Sequence, residues 1–154
     1  MHMVRSNRLP AGVIENGIDV AAPADVLFDY MTDLNREPEW NPQMRHAEQL
    51  TPGPIGLGTR FLVRFGRGLG PAVIANTAFD RPRSWAAIST ARRLTVHSEG
   101  TVRPLGGTSR LSIRTDLRPH GPLRLLTPLL RAVMHRSWEQ DLKRVKAIIE
   151  SHAQ

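Results

Sequence analysis

Leu126-Thr127-Pro128-Leu129-Leu130-Arg131-Ala132-Val133-Met134-His135-Arg136-Ser137-Trp138 opens the segment on which the architecture turns. Leu126, Leu129, Leu130, Val133, Met134, Trp138, Leu142, Val145, Ile148 and Ile149 recur at three- and four-residue steps, the period of one helix face. Thr127-Pro128 supplies a cap and a first-turn proline. The spacing therefore predicts a helix over 128–150, roughly 34 Å long at 1.5 Å per residue. Pro122 permits an earlier start, with a kink at Pro128. A helix of that length needs a broad apolar surface, and Leu130, Val133, Met134, Trp138, Leu142 and Val145 are expected to face it.

The middle of the chain supplies that surface. In Thr59-Arg60-Phe61-Leu62-Val63-Arg64-Phe65, the residues Phe61, Val63 and Phe65 share one face and Arg60 and Arg64 the other. Residues 71–79 and 84–90 read as further strands, divided by the turn Asp80-Arg81-Pro82-Arg83. Leu94, Val96 and Ser98 alternate with Thr95, His97 and Glu99. After the hairpin signal Gly106-Gly107-Thr108, Leu111, Ile113, Thr115 and Leu117 alternate with Arg110, Ser112, Arg114 and Asp116.

Residues 1–12 read as a loose arm, and residues 13–20 as a first strand. Ala22-Pro23-Ala24-Asp25 then opens a short helix whose apolar face is Val26, Leu27, Tyr30, Met31 and Leu34. Glu37-Pro38-Glu39-Trp40-Asn41-Pro42 reads as a turn or a second short helix. The expected fold is α+β: strand, one or two short helices, about five or six antiparallel strands, then one long helix. A single helix does not fill the concavity of a curved sheet, so a cavity for a small apolar ligand is expected between them.

Composition narrows the chemistry. The chain of 154 residues has no cysteine, which excludes disulfides, thiolate metal sites and cysteine nucleophiles. No apolar run is long enough to span a membrane and no signal-peptide core is evident, so a cytoplasmic domain is expected. The net charge of +7 is uneven, with residues 1–50 summing to −4 and residues 51–154 to +11. The arginines are scattered over many strands and turns, with no dense basic helix and no interleaved aromatics. Specific nucleic-acid binding is therefore not expected. Transient contact with a membrane is allowed, weak and salt-sensitive.

Ile18-Asp19-Val20-Ala21-Ala22-Pro23-Ala24-Asp25-Val26-Leu27-Phe28-Asp29-Tyr30-Met31-Thr32-Asp33 carries a family resemblance. So do Glu39-Trp40-Asn41-Pro42, Gly56-Leu57-Gly58-Thr59-Arg60-Phe61 and Trp138-Glu139-Gln140-Asp141-Leu142-Lys143-Arg144-Val145-Lys146. Over about residues 12–150 the chain resembles the SRPBCC superfamily, the START and birch-pollen-allergen-like helix-grip proteins, in its polyketide cyclase/dehydrase branch. The resemblance implies one ligand-binding domain over 13–152, a curved antiparallel sheet gripping the C-terminal helix around a hydrophobic pocket. It implies a carrier or sequestering protein for a lipid, isoprenoid or polyketide-like molecule. The alternatives are a polyketide cyclase, aromatase or dehydratase and, third, a ribosome- or RNA-associated module. The motifs specify a fold and no reaction.

The expected pocket lining is Tyr30, Met31, Trp40, Phe61, Val63, Phe65, Val96, Leu111, Ile113 and Met134. No cofactor is expected. None of His2, His46, His97, His120, His135 and His152 stands at metal-ligand spacing from another, so no metal is expected either. Gly66-Arg67-Gly68-Leu69-Gly70 lacks the Lys-Ser/Thr of a phosphate loop and reads as a turn at the pocket mouth. His97 and Glu99 share a strand face. Alternation turns them to solvent, whereas a one-residue slip would turn them inward as a general acid–base pair. Arg114 and Asp116 pose the same question, with an exposed cross-strand pair expected. Tyr30, on the inner face of the first helix, needs a partner for its hydroxyl and is a candidate ligand contact. Trp40 is read as either packing or ring stacking at the pocket mouth, Trp138 as core, and Trp85 is left open. Monomer and homodimer are both compatible with the sequence.

Overall fold

A computed structural model describes residues 9–66 and 70–152. Most of the expected arm and the centre of the Gly66–Gly70 turn lie outside them. The element order is β1 (Val13–Val20), α1 (Ala24–Thr32), a 3-10 helix (Leu34–Glu39), β2 (Met44–Gln49), β3 (Arg60–Phe65), β4 (Pro71–Asp80), β5 (Ser84–Thr90), β6 (Leu94–Pro104), β7 (Ser109–Pro119), a second 3-10 helix (Gly121–Leu126) and α2 (Thr127–His152). The strands form one antiparallel sheet of order β1-β7-β6-β5-β4-β3-β2. With the long helix against its concave face, this is the helix-grip fold.

Pairing register sets which side chains face the helix. Val102 opposes Leu111, Gly100 opposes Ile113, and Val96 opposes Leu117. These residues lie on the concave face, so His97, Glu99, Arg110, Arg114 and Asp116 lie on the convex one. Charges there pair with one another: Arg114 with Glu15 at 2.8 Å and Arg118 with Asp116 at 3.1 Å. Asp116 thus bonds along its own strand, and Arg114 reaches across to β1.

β2 was not evident in the sequence. Met44-Arg45-His46-Ala47-Glu48-Gln49 has no β-branched residue, and a bulge between Met44 and His46 interrupts its register on β3.

α2 is fastened along β1. The Arg131 guanidinium donates to the Val13 carbonyl at 2.9 Å, and the Asn16 amide to the His135 carbonyl at 3.2 Å. Further along, Lys146 donates to the Asp19 carbonyl at 3.0 Å, and Glu150 accepts from the Ala21 N–H at 3.1 Å. This lean turns Leu142, Val145 and Ile149 into the core. It leaves Leu129 and Val133 exposed, so Val133 does not face the sheet as its spacing predicts.

Apolar side chains gather in two clusters. One joins α1, β1, β6, β7 and the C-terminal half of α2 around Leu27, Phe28, Leu111, Ile113, Leu142 and Val145. The other joins the first 3-10 helix, β2, β3 and β4 around Leu34, Met44, Phe61, Val63 and Ala72. Trp85 packs edge-on against Phe28 at 5.4 Å and lies directly over Gly100. A Cβ at position 100 would fall inside the indole. Gly100→Ala is therefore expected to destabilise the fold by about 1–3 kcal/mol through overpacking. Thr101→Ala, on the exposed convex face, should be near neutral; urea midpoints of the two variants check the contrast.

Candidate functional site

The two clusters do not meet across the middle of the sheet. Ile74 on β4, Ala87 and Ser89 on β5, and Leu94, Val96 and Ser98 on β6 all belong to the concave face. Each is only half-buried. Beside them the same face is sealed where α2 covers it, at Val102, Leu111 and Ile113. The strip between is a groove with an apolar floor and two serine hydroxyls. On the N-terminal half of α2, Leu130, Met134 and Ser137 are half-buried. On a wheel of 100° per residue these three turn away from the β1 contacts of Arg131 and His135.

The ends of the groove differ. Phe28, Phe79 and Trp85 close one end, with Phe79 5.2 Å from Phe28 in an edge contact. α1 is held there by the fork of Arg81 on Asp29, with both bonds at 2.7 Å. At the other end, the turn at residues 91–93 meets the segment before the second 3-10 helix, where the His120 N–H donates to the Arg93 carbonyl at 2.8 Å.

The predicted pocket residues divide around this groove. Val96, Phe65 and Met134 are half-buried. Phe61, Val63, Leu111 and Ile113 are sealed in the cores behind it. Trp40 is buried and stacks on Trp138, with ring centroids 5.8 Å apart, and its indole N–H has no partner among the described residues. Met31 is buried beside α1's other core residues. The Tyr30 hydroxyl turns outward to Glu39 Oε2 at 3.3 Å, with Arg36 over its ring at 4.8 Å. Burial, with Glu39 beside it, pushes the phenol up to about 12, so it stays a donor at neutral pH. Tyr30 lines a surface hollow of about 340 Å3 with Val26, Asp29, Asp33 and His152. Glu99 lines another, of about 470 Å3, on the convex face among Glu15, Arg110 and Arg114. His97 and Glu99 are therefore not brought to the groove.

Two acids that no sequence pattern singles out are brought close by the fold. Glu37, on the first 3-10 helix, accepts from the Asn41 amide at 3.0 Å. Asp141, buried on α2, accepts from Arg144 at 2.9 Å. Burial pushes Glu37 up to about 7; the neighbouring Asp141 charge adds to this and the Asn41 bond opposes it. Burial also pushes Asp141 up to about 6, against the pull of Arg144. Among the described residues these are the two carboxyls moved toward neutrality, the range a general acid needs. Both lie in or beside the resemblance motifs, one next to Pro38-Glu39-Trp40 and one between Trp138 and Val145. The available signal was a carboxylate interrupting the apolar face of α2.

Sheet, long helix and groove together define a START-type helix-grip protein. The match to known families is of the same kind: residues 12–150 fit the family described as polyketide cyclase / dehydrase and lipid transport, and the chain belongs to it. No curated protein matches the sequence. Among solved structures, the chain is similar to the Zhui aromatase/cyclase of Streptomyces sp. R1128, at 20% identity and a TM-score of 0.73 over 92% of this chain and 95% of that one. It is similar to a START superfamily protein of Mycobacterium smegmatis at 14% identity and 0.73, over 90% and 97% of the two chains. A Thermus thermophilus protein matches at 14% identity and 0.76, over 92% and 99%. At these identities the likeness is one of fold.

The raised carboxyls set a pH dependence. Unfolded, Glu37 and Asp141 titrate near 4; folded, they hold their protons to about 7 and about 6. Their contribution to stability is fully present below pH 4 and is lost as pH rises through 6 and 7. The acids lowered by ion pairs, Asp29, Asp80 and Glu150, act below this window. Urea unfolding should show stability falling by about 1–3 kcal/mol between pH 5 and pH 8. Glu37→Gln should flatten most of that slope, and an unchanged slope would refute the assignment.

Proposed function

We propose that the protein binds a small apolar molecule, lipid-, isoprenoid- or polyketide-like, in the groove between the sheet and the N-terminal half of α2, as a carrier or sequestering protein. The observation that carries this reading is the half-exposed strip of Ile74, Ala87, Leu94 and Val96 between two separate cores. An apolar occupant there would remove that strip from water and join the cores, at about 25 cal/mol per Å2 of apolar surface covered. Ser89 and Ser98 would take a single polar group. Val96, Phe65 and Met134 would line the occupied space, with Phe61, Val63, Leu111 and Ile113 as the packed wall behind them. Family membership supports a ligand-binding role and leaves the ligand open.

A second reading, an enzyme of the cyclase or dehydratase type, is favoured by Glu37 and Asp141. Near neutral pH a carboxyl titrating at about 7 can both donate and accept a proton, as enolisation or loss of water requires. The two readings share the groove and differ in whether the acids touch the ligand.

A polarity-sensitive apolar fluorophore should bind with micromolar affinity and quench tryptophan emission. Val96→Trp, which fills the groove from a half-buried position, should weaken binding at least about tenfold while circular dichroism stays unchanged. Undiminished binding to that variant would exclude the groove. Glu37→Gln and Asp141→Asn should leave probe binding intact. Loss of turnover of a poly-β-ketone in these variants would establish the enzymatic reading over the carrier one.

A further inference from the structure

Among the described residues three buried side-chain atoms have no hydrogen-bond partner: Asn16 Oδ1, Thr115 Oγ1 and the Trp40 indole nitrogen. A buried polar group left in this way is costly, and folds keep few of them. The first two lie together. β1 and β7 pair with Ile14 opposite Thr115 and Asn16 opposite Ile113, which sets Asn16 and Thr115 at diagonal positions on one face. Residues so related stand about 7–8 Å apart, close enough for their side chains to meet one small group between them. The face is the concave one, where Ile14, Ile113 and Thr115 itself are sealed. Ser98 continues the row: β6 sets it opposite Thr115, and it belongs to the half-buried floor of the groove. A polar row thus runs from the seam between α2 and β1 to the groove.

The clamp on α2 decides what this row can recognise. A carbonyl accepts and never donates, so the bond from Asn16 to the His135 carbonyl at 3.2 Å fixes the amide nitrogen on the helix side. Oδ1 is thereby held on the other side of the amide, an acceptor alone. Thr115 Oγ1 can donate or accept. Asn16, Thr115 and Ser98 are all uncharged. The group complementary to such a pair donates and accepts at once, as a hydroxyl does. A ketone or ether oxygen would take the threonine proton and leave Oδ1 unpaired. A carboxylate would set its lone pairs against Oδ1 and give up its water with no cation in the row to meet it.

We propose that the groove selects apolar molecules carrying a neutral hydroxyl, phenolic or alcoholic, and that Asn16 and Thr115 read it. The ligand hydroxyl donates to Asn16 Oδ1 and accepts from Thr115 Oγ1, with Ser98 next in the row on the groove side. The inference rests on the groove reading and narrows the class of its ligand. It also gives the Asn16 amide two tasks, since the nitrogen that holds α2 on β1 is what orients the oxygen for recognition.

Four probes of one shape test this by calorimetric titration at neutral pH: 2-naphthol, 2-methoxynaphthalene, 2-acetylnaphthalene and 2-naphthoate. The naphthol should bind at least about tenfold more tightly than the ether, the ketone or the carboxylate. Thr115→Val keeps the side-chain shape and removes the hydroxyl, and should bring the naphthol to within about threefold of the ether. Thr101→Val, on the convex face, should keep the full preference. Should Thr115→Val fail to fold, the ranking of the four probes on the wild type decides alone. Ether and ketone binding as tightly as the naphthol would overturn the hydroxyl assignment and leave the groove in place. So would naphthoate binding tightest, or a preference that survives intact in folded Thr115→Val. No binding by any of the four would remove the groove reading and this inference with it.

Discussion

A helix about 10–12 Å across cannot cover seven strands spaced about 4.8 Å apart, which together span about 29 Å. That mismatch governs this molecule. α2 leans on β1 through Arg131, the His135 carbonyl, Lys146 and Glu150, and so seals β1, β7 and part of β6. The first 3-10 helix covers the opposite side, over β2 and β3. The strip over β4 to β6 is left to whatever else can fill it. The groove is the remainder of a covering problem, and its apolar floor follows from the same alternation that builds the cores on either side.

Most of the fold could be read from period alone. β3, β6 and β7 alternate cleanly, and the long helix announces itself by its three- and four-residue steps. The outward turn of His97 and Glu99 followed from the same alternation, because a one-residue slip of β6 would have turned Val96 and Val102 to solvent and Arg103 inward. β2 was illegible because tertiary pairing, and no local preference, makes Met44–Gln49 a strand. Leu129 and Val133 misled for a related reason. Their spacing places them on an apolar face, but the apolar sector of α2 is wider than the surface it meets, and the clamp on β1 selects which edge of that sector is buried.

The site was less legible than the fold. Sequence alternation finds the concave residues but not which of them a helix will cover, so Leu111, Ile113, Phe61 and Val63 looked the same as Val96. Glu37 and Asp141 were hidden for another reason. Their unusual chemistry comes from burial and from each other, and a carboxylate's surroundings are a property of the fold. A fold shared by carriers and cyclases does not choose between the two activities; the distinction lies in whether such groups face the ligand.

The asymmetry of the groove ties its two ends to different tasks. Phe28, Phe79 and Trp85 make a dry stop at one end, reinforced by Gly100, which admits the indole flat against β6. At the other end a short turn meets the segment before the second 3-10 helix, and the polar anchors of α2 to β1 begin only at Arg131. Residues 121–130 are therefore the part of the helical layer least tied to the sheet, and local opening is cheapest where buried apolar contacts are fewest. An apolar molecule entering or leaving would need to displace the fewest contacts there. The exposed Leu125, Leu126 and Leu129 sit on that same segment. The geometry that makes it the easiest entrance also makes it the surface most in need of a partner.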